Sequence, residues 1–353
     1  MRMALALGRR GLGQVWPNPA VGCVLVREGR VVGRGWTQPG GRPHAESEAL
    51  RRAGDLARGA SAYVTLEPCA HHGRTPPCAD ALIAAGVARV VCALRDPDPR
   101  VAGAGFARLE AAGIPVGIGM EAETARQDQA GFLSRIERNR PLVTLKLATS
   151  LDGRIATADG HSRWITGPLA RRHAHGLRAR YDAIMVGANT AVLDDPMLDC
   201  RLPGLADRSP VRVVLDGARR LSADSRLVGS AGDIPVWRFS RTEAEGADLP
   251  GLVEHRLAGE NGHVPLAALL GELAGQGIGR LLVEGGGGLA AALLREGLVD
   301  RLVWYRAPLL LGGDGRPAVA DLGLARVNDA AGWRRTGVTM LAGDLLETFC
   351  AAA

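Results

Sequence analysis

In Ala62-Tyr63-Val64-Thr65-Leu66-Glu67-Pro68-Cys69 a strand-like run, Ala62 to Leu66, is followed by a thiol, and it lies between two helical stretches that each open on another side chain able to bind metal. Upstream, His44 opens the stretch Ala45 to Ala53, with Glu46 two residues behind the histidine. Downstream, Cys78 opens the stretch Cys78 to Ala85, entered through Pro76 and Pro77 as suits a first helical turn. A helix N-terminus favours thiolate, the form of cysteine that binds metal. One imidazole and two thiolates close three sides of a tetrahedral zinc site and leave the fourth for water. Glu46 is then placed to move that water's proton rather than to bind metal. Each residue alone is ordinary, since a lone cysteine is usually a small buried apolar group. Their joint pattern predicts one Zn2+ per chain on His44, Cys69 and Cys78, with Glu46 as catalytic acid and base.

Strand and helix go on alternating outward from this core. Val21 to Val26 and Arg30 to Trp36 read as a hairpin turning at Glu28-Gly29. After the Cys78 helix come a strand at Arg89 to Leu94, a helix at Gly105 to Ala112 and a short strand at Ile114 to Ile118. That order predicts an α/β domain with its sheet between helices. An amphipathic helix, Glu121 to Arg138, runs to Asn139-Arg140-Pro141, where the proline marks a boundary. The expected domains are 1–138 and 139–353.

The second half restarts with a buried strand at Leu142 to Ala148. Further strands are expected at Tyr181 to Val186, Val211 to Leu215, Arg280 to Val283 and Val299 to Tyr305, and helices at Pro168 to Arg180, Pro265 to Ala274 and Leu289 to Glu296. Asp344 to Cys350 reads as an edge strand or hairpin partner. The stretches Leu202 to Ser209 and Arg241 to Leu249 lack periodicity and are expected to be exposed loops.

Composition narrows the function. The 353 residues suffice for two domains, and 46% hydrophobic residues suffice for their cores. Mean hydropathy is near zero, and no run approaches the roughly 18 apolar residues of a membrane span. Met1 to Gly8 is too short a run for a signal peptide and reads as the first turns of a helix. Six cysteines, two of them assigned to zinc, make no disulfide framework, so a cytoplasmic enzyme is expected. The net charge of +6 is scattered arginine, and aromatics are only 4%, which argues against nucleic-acid binding. Lys146 is the only lysine among 43 basic residues. It is either a chance survivor or a place that needs a compact ammonium.

Gly285-Gly286-Gly287-Gly288 follows a strand and opens a helix, a place where backbone amides can approach a pyrophosphate. A glycine-rich turn alone also fits a purely structural role. Glu284, at the strand's end, is where functional residues of an α/β sheet gather. Asp194-Asp195-Pro196 reads as a turn or a site.

H-x-E followed by P-C is the signature of zinc deaminases of nucleobases, from which the eight residues between Cys69 and Cys78 depart. Over essentially its whole length the chain resembles the bifunctional deaminase-reductases of bacterial riboflavin biosynthesis. The resemblance rests on Pro17-Asn18-Pro19-Ala20-Val21-Gly22, His44-Ala45-Glu46, and Thr65-Leu66-Glu67-Pro68-Cys69 running into His72-Gly73-Arg74-Thr75-Pro76-Pro77-Cys78. It continues through Leu145-Lys146-Leu147-Ala148, Ser150-Leu151-Asp152-Gly153, Trp164-Ile165-Thr166, Asp194-Asp195-Pro196 and Val283-Glu284-Gly285-Gly286. It implies a cytidine-deaminase-like three-layer α/β/α domain followed by a dihydrofolate-reductase-like α/β domain. The first would deaminate a ribosylaminopyrimidine 5′-phosphate, and the second would reduce its ribosyl group to ribityl with NADPH.

By position, the resemblance assigns cofactor contacts to Ala148, Trp164, Thr190, Asp194, Gly217, Gly286, Gly287, Gly288, Leu289, Ala290, Ala291 and Ala292. Substrate contacts fall on Asn18, Ser162, Arg178, Leu198, Arg201 and Glu284. Lys146 and Asp195 are the catalytic candidates of the reductase half, and whether Lys146, Asp195 or Glu284 assists reduction stays open. Arg219 and Arg220 are candidates for the adenosine 2′-phosphate, or else surface arginines. Trp16 and Glu48 depart from the histidines common in the family. A homo-oligomer acting on a small phosphorylated pyrimidine is expected, with no membrane partner. The alternative, a zinc deaminase of nucleic acid with a C-terminal binding module, lacks a basic-aromatic stripe in the second half.

Overall fold

A computed structural model describes residues 1–71, 76–246, 248–259 and 263–352, so His72 to Thr75 of the Cys69–Cys78 insert lie outside the described residues. The chain divides into two units, Met1–Arg140 with Ala274–Gly279, and Pro141–Leu273 with Arg280–Ala353.

In the first unit, β1 (Gly22–Arg27), β2 (Arg30–Trp36), β3 (Ser61–Val64), β4 (Arg89–Cys92) and β5 (Val116–Ile118) form one sheet in the order β2-β1-β3-β4-β5. β1 is antiparallel to β2 and β3, whereas β3, β4 and β5 are parallel. The helices are α1 (Arg2–Gly8), α2 (Ala45–Ala53), α3 (Cys78–Ala84), α4 (Ala104–Ala111) and α5 (Ala122–Arg138). Alternation along β1 sends Cys23 and Leu25 into a core with Ala45 and Ala49 of α2 and Ala79 and Leu82 of α3. Val24 points the other way, to Ala4 and Leu7 of α1. The outcome is the α/β/α layering that the alternation predicts.

Gly33 and Gly35 of β2 make α2 sit unusually close. A Cβ at Gly33 would lie 2.3 Å from the Ala49 carbonyl oxygen, and one at Gly35 would lie 2.1 Å from that of Ala45. Any larger residue would push away the helix whose first turn carries His44 and Glu46.

In the second unit the strands are β6 (Leu142–Thr149), β7 (Arg154–Ala156), β8 (Ala183–Gly187), β9 (Val211–Leu215), β10 (Val236–Arg241), β11 (Leu252–Leu257), β12 (Arg280–Val283), β13 (Arg301–Arg306), β14 (Arg316–Pro317), β15 (Trp333–Leu341) and β16 (Asp344–Ala351). The helices are α6 (Pro168–Arg178), α7 (Ala188–Asp194), α8 (Arg226–Gly229), α9 (Leu266–Gly275) and α10 (Gly287–Arg295). Among the described residues, nine strands form a sheet in the order β11-β10-β9-β8-β12-β6-β13-β16-β15, and β7 pairs with β14. β11 through β13 in that order are parallel, and β16 and β15 add an antiparallel hairpin.

Several expectations need correction. β10 and β11 are absent from the sequence reading because polar side chains break their apolar pattern. The structure satisfies those side chains across the ladder: Arg238 pairs with Glu254, its register partner, and His255 stacks on Phe239 at 4.5 Å. Residues 241–249 are not uniformly exposed, because Ala244 and Leu249 are buried. β16 is a hairpin partner rather than the edge, which is β15. Asp194 ends helix α7, and Asp195 follows with a left-handed φ of 38°.

β12 inserts between β6 and β8, so the chain's direction of strand addition reverses there. Such switch points open crevices at the carboxyl ends of parallel strands.

Candidate active sites

At the ends of β3, α2 and α3 the metal-binding side chains of the first unit converge. The ligand atoms of His44, Cys69 and Cys78 all lie within 4.8 Å of one another. His44 Nδ1 is 3.3 Å from Cys78 Sγ and 3.7 Å from Cys69 Sγ. A tetrahedral zinc with Zn–N of about 2.05 Å and Zn–S of about 2.3 Å needs N to S separations of about 3.6 Å. The observed pair brackets that value, so the donor set fits the ion. The backbone N–H of Cys78 donates to Cys69 Sγ at 3.3 Å. With the hydrogen bond from the Cys78 thiol leading, Cys69 is held down to about 4, while Cys78 is pushed far up. Burial pushes the Glu46 carboxyl up to about 7, and the Cys69 thiolate adds to it.

His44, Glu46 and Cys69 open into a cavity of about 360 Å³ that also takes in Asn18, Arg42, Asp96 and Arg100. Asn18 Nδ2 donates to the Gly41 carbonyl at 2.7 Å, which fixes its amide plane. Helix α5 steadies the same loop, with Gln129 donating to the Ala20 carbonyl and Arg135 to that of Pro17, both at 2.8 Å. The buried Glu67 carboxylate accepts backbone N–H bonds from Asp96, Gly103 and Gly105 and so shapes the cavity's far wall. Burial raises Asp96 to about 6. Sequence reasoning did not single out Asp96, Asp98 or Arg100; the Asp-Pro-Asp-Pro-Arg run was the available signal. Glu48 turns away to Arg51 and Arg52, at 3.1 and 3.2 Å.

In the second unit, Glu284 sits just past β12 and receives two cations. Arg178 of α6 grips it with two N–H donors at 2.9 and 3.0 Å, and Lys146 of β6 lies 3.3 Å away. Burial alone would push this carboxyl up. The Arg178 guanidinium and the Lys146 ammonium outweigh burial and hold it well below the usual carboxylate range. Lys146 Nζ also faces the Tyr305 ring at 5.8 Å, and the Tyr305 hydroxyl meets His173 Nδ1 at 2.7 Å. Asp195 does not join this cluster, because its Oδ1 accepts the Arg226 backbone N–H at 2.8 Å. Asp199 and Arg201 lie against the same helix face, the Asp199 carbonyl taking Arg178 Nη1 at 2.9 Å. Leu198 is buried with a left-handed φ of 54°, and Ser162 is half-buried.

A crevice of about 680 Å³ opens beside the cluster's strands, lined by Gly187, Leu215 and Arg241, the last residues of β8, β9 and β10. Thr190, Gly217, Gly286, Gly288, Leu289 and Ala292 line it as well. Gly286 caps α10, and a Cβ on Gly287 would lie 2.5 Å from the Pro317 carbonyl oxygen. Ala290 and Ala291 are instead buried in the core. Ala148, Trp164 and Asp194 are outside the crevice lining; Trp164 is exposed and capped by Arg171 at 4.5 Å. Of the two arginines read from sequence, Arg220 lines the crevice and bonds Asn189 at 2.9 Å. Arg219 is buried and turned to Asp248 at 2.5 Å. Arg241 and His263, missed in the sequence, line it too.

Comparison with known proteins adds the following. Residues 141–345 match the RibD C-terminal domain, and residues 1–94 match the cytidine and deoxycytidylate deaminase zinc-binding region. The chain is 47% identical to riboflavin biosynthesis protein RibD of Escherichia coli K12 over 94% of this chain and 92% of that protein. It is 40% identical to the Haemophilus influenzae protein of the same name, over 99% of this chain and 96% of that one. Among solved structures, Acinetobacter baumannii RibD superposes with a TM-score of 0.91 at 39% identity, covering 100% and 98% of the two chains. A Thermotoga maritima diaminohydroxyphosphoribosylaminopyrimidine deaminase/5-amino-6-(5-phosphoribosylamino)uracil reductase superposes with a TM-score of 0.89 at 34% identity, covering 100% and 97%.

Proposed function

The chain belongs to the RibD family of bifunctional riboflavin-biosynthesis deaminase-reductases, and from that premise we propose how its two units divide the chemistry. The first unit hydrolyses the ring 2-amino group of 2,5-diamino-6-ribosylamino-4(3H)-pyrimidinone 5′-phosphate. The second reduces the ribosyl group of the product, giving 5-amino-6-ribitylaminouracil 5′-phosphate. The observation that carries this reading is the pairing of a three-ligand metal set and a buried Glu46 with a separate glycine-rich crevice beside Lys146 and Glu284.

In the first unit, His44, Cys69 and Cys78 hold zinc. When bound, the ion supplies a water whose pKa is lowered toward neutrality. Glu46, with its own carboxyl raised to about 7, takes the proton and returns it to the leaving amine. Asn18 orients the pyrimidine beside it. In the second unit, the nicotinamide cofactor supplies a hydride when bound, and the chain's task is to orient donor and acceptor. The backbone N–H groups at the start of α10, where no side chain caps the helix, receive the pyrophosphate. Arg178 and Lys146 fix Glu284, and Lys146 holds a proton at the ribosyl group.

We assign NADPH rather than NADH, with the 2′-phosphate taken by Arg220 and Arg241, whose forked donors suit it. The partner of each unit is a small phosphorylated pyrimidine rather than nucleic acid. The described cysteines are all free, which supports a reducing cytoplasm. Val338 and Met340, exposed on edge strand β15, support assembly into a homo-oligomer. Mass analysis of the products tests the scheme. Without NADPH the diaminopyrimidine phosphate should exchange one amino group for oxygen, and with NADPH it should also gain two hydrogens. Comparable kcat/KM with NADH would refute the cofactor assignment.

A further inference from the structure

Arg212 of β9 is fully buried, yet among the described residues the hydrogen-bond acceptors around its guanidinium are all neutral. Nη1 donates to the Met197 carbonyl at 3.2 Å and to Ser230 Oγ at 2.7 Å; Nη2 donates to the Ser230 carbonyl at 2.9 Å and to that of Ile234. Nε has no hydrogen-bond partner. Taking a guanidinium out of water without an ion-pair partner is costly, and burial draws it down to about 10. Cross-strand packing alone would be served by an aliphatic residue such as its neighbours Val211 and Val213.

The carbonyl that Arg212 reaches lies in the middle of a strained loop. Asp195 and Leu198, on either side of Met197, both have positive φ, at 38° and 54°. Non-glycine residues stay there only when their surroundings over-determine them. The loop's first end is docked by the Arg226 N–H on Asp195. Its second end is docked by Arg178, whose Nη1 holds the Asp199 carbonyl while its other nitrogens grip Glu284. The Asp199 carboxylate acts electrostatically on both Arg178 and Arg212. Arg212 therefore clamps the loop at Met197, between these two docks.

We propose that Arg212 is a positioning residue of the reductase, holding the Asp195–Arg201 loop in the conformation that receives the ribosylaminouracil phosphate. This rests on the reading of the second unit as the reductase and of Leu198 and Arg201 as substrate contacts. Arg212 touches neither substrate nor cofactor; it acts through the Met197 carbonyl.

The test is steady-state kinetics of Arg212→Lys, Arg212→Met and Ser230→Ala in the full chain, with the deaminated pyrimidine and NADPH varied in turn. A loop displaced by about an ångström should raise KM for the pyrimidine about tenfold or more in Arg212→Met. KM for NADPH and the rate of deamination should stay at wild-type values. Arg212→Lys, which keeps a donor, should fall between Met and wild type. Ser230→Ala, which removes one acceptor and leaves the guanidinium, keeps the proposal testable if Arg212→Met fails to fold, and should raise KM for the pyrimidine about threefold. Unchanged pyrimidine KM in Arg212→Lys and Ser230→Ala overturns the proposal. So does an equal rise in both KM values, which would mark general loosening. A wild-type chain that does not reduce the pyrimidine would instead overturn the reading of the unit itself.

Discussion

Replacing Glu284 by glutamine removes one negative charge from between two cations and leaves both nearly buried, with side-chain exposures of 14% for Arg178 and 17% for Lys146. Breaking a buried ion pair from one side costs about 3–5 kcal/mol. Glutamine keeps one acceptor oxygen but turns a donor toward a donor, so Glu284→Gln should fall within that range for unfolding of the second unit. The effect depends on pH. Glu284 is held well below its ordinary value, so its contribution is fully present above the unfolded carboxylate pKa of about 4.3 and is lost as pH falls through the folded one. The groups that face it are Arg178 and Lys146, with Tyr305 nearby. Urea unfolding followed by tryptophan fluorescence, at pH 7 and at about pH 3.5, gives the measurement. Wild type and Glu284→Gln should be far apart at pH 7 and closer at the lower pH, because there the carboxyl of the unfolded wild-type chain takes up a proton while the folded one stays ionised. A difference below about 1 kcal/mol at pH 7, or one that does not change with pH, would refute the reasoning. NADPH oxidation should be lost in the variant while deamination stays at the wild-type rate.

Three further outcomes are expected. Metal analysis of the purified chain should find zinc, lost in Cys69→Ser; alanine at Cys23, Cys92 or Cys350, which lie in strands, should lower stability and leave the metal in place. Glu46→Gln should keep its zinc and lose about 10²–10⁴-fold in deamination, yet still oxidise NADPH when given the already deaminated substrate; loss of both activities with an intact fold would mean that the two sites are coupled. Lys146→Arg should deaminate normally and reduce at least about tenfold more slowly, because a broad planar guanidinium replaces the compact ammonium that sits 3.3 Å from Glu284 and 5.8 Å from the Tyr305 ring. Wild-type reduction by that variant would make the lone lysine a chance survivor.

The convergence of His44, Cys69 and Cys78 was legible in the chain because each sits at the start of a helix or shortly after a strand that the local pattern already marks. His44 opens α2, Cys78 opens α3, and Cys69 follows β3, so three short-range signals sufficed to predict the set. The same holds for the parallel core of the second unit, where β8 and β12 carry apolar runs followed by turn or polar residues. Arg238 in β10 and Glu254 in β11 were not legible, because each looks like a surface charge until the register pairs them. The partners of Lys146 were beyond the sequence for the same reason. Glu284 lies 138 residues away, and only the insertion of β12 beside β6 brings it within 3.3 Å. Asp195 shows the converse, since its place in an Asp-Asp-Pro motif suggested chemistry and the fold binds its carboxylate to a backbone amide. Arg219 and Arg220 are neighbours in the chain, but the turn after β9 buries one against Asp248 and aims the other into the crevice. Local periodicity and capping act over a few residues and are therefore written in the sequence. Which distant charges meet depends on strand order, and only the tertiary structure decides that.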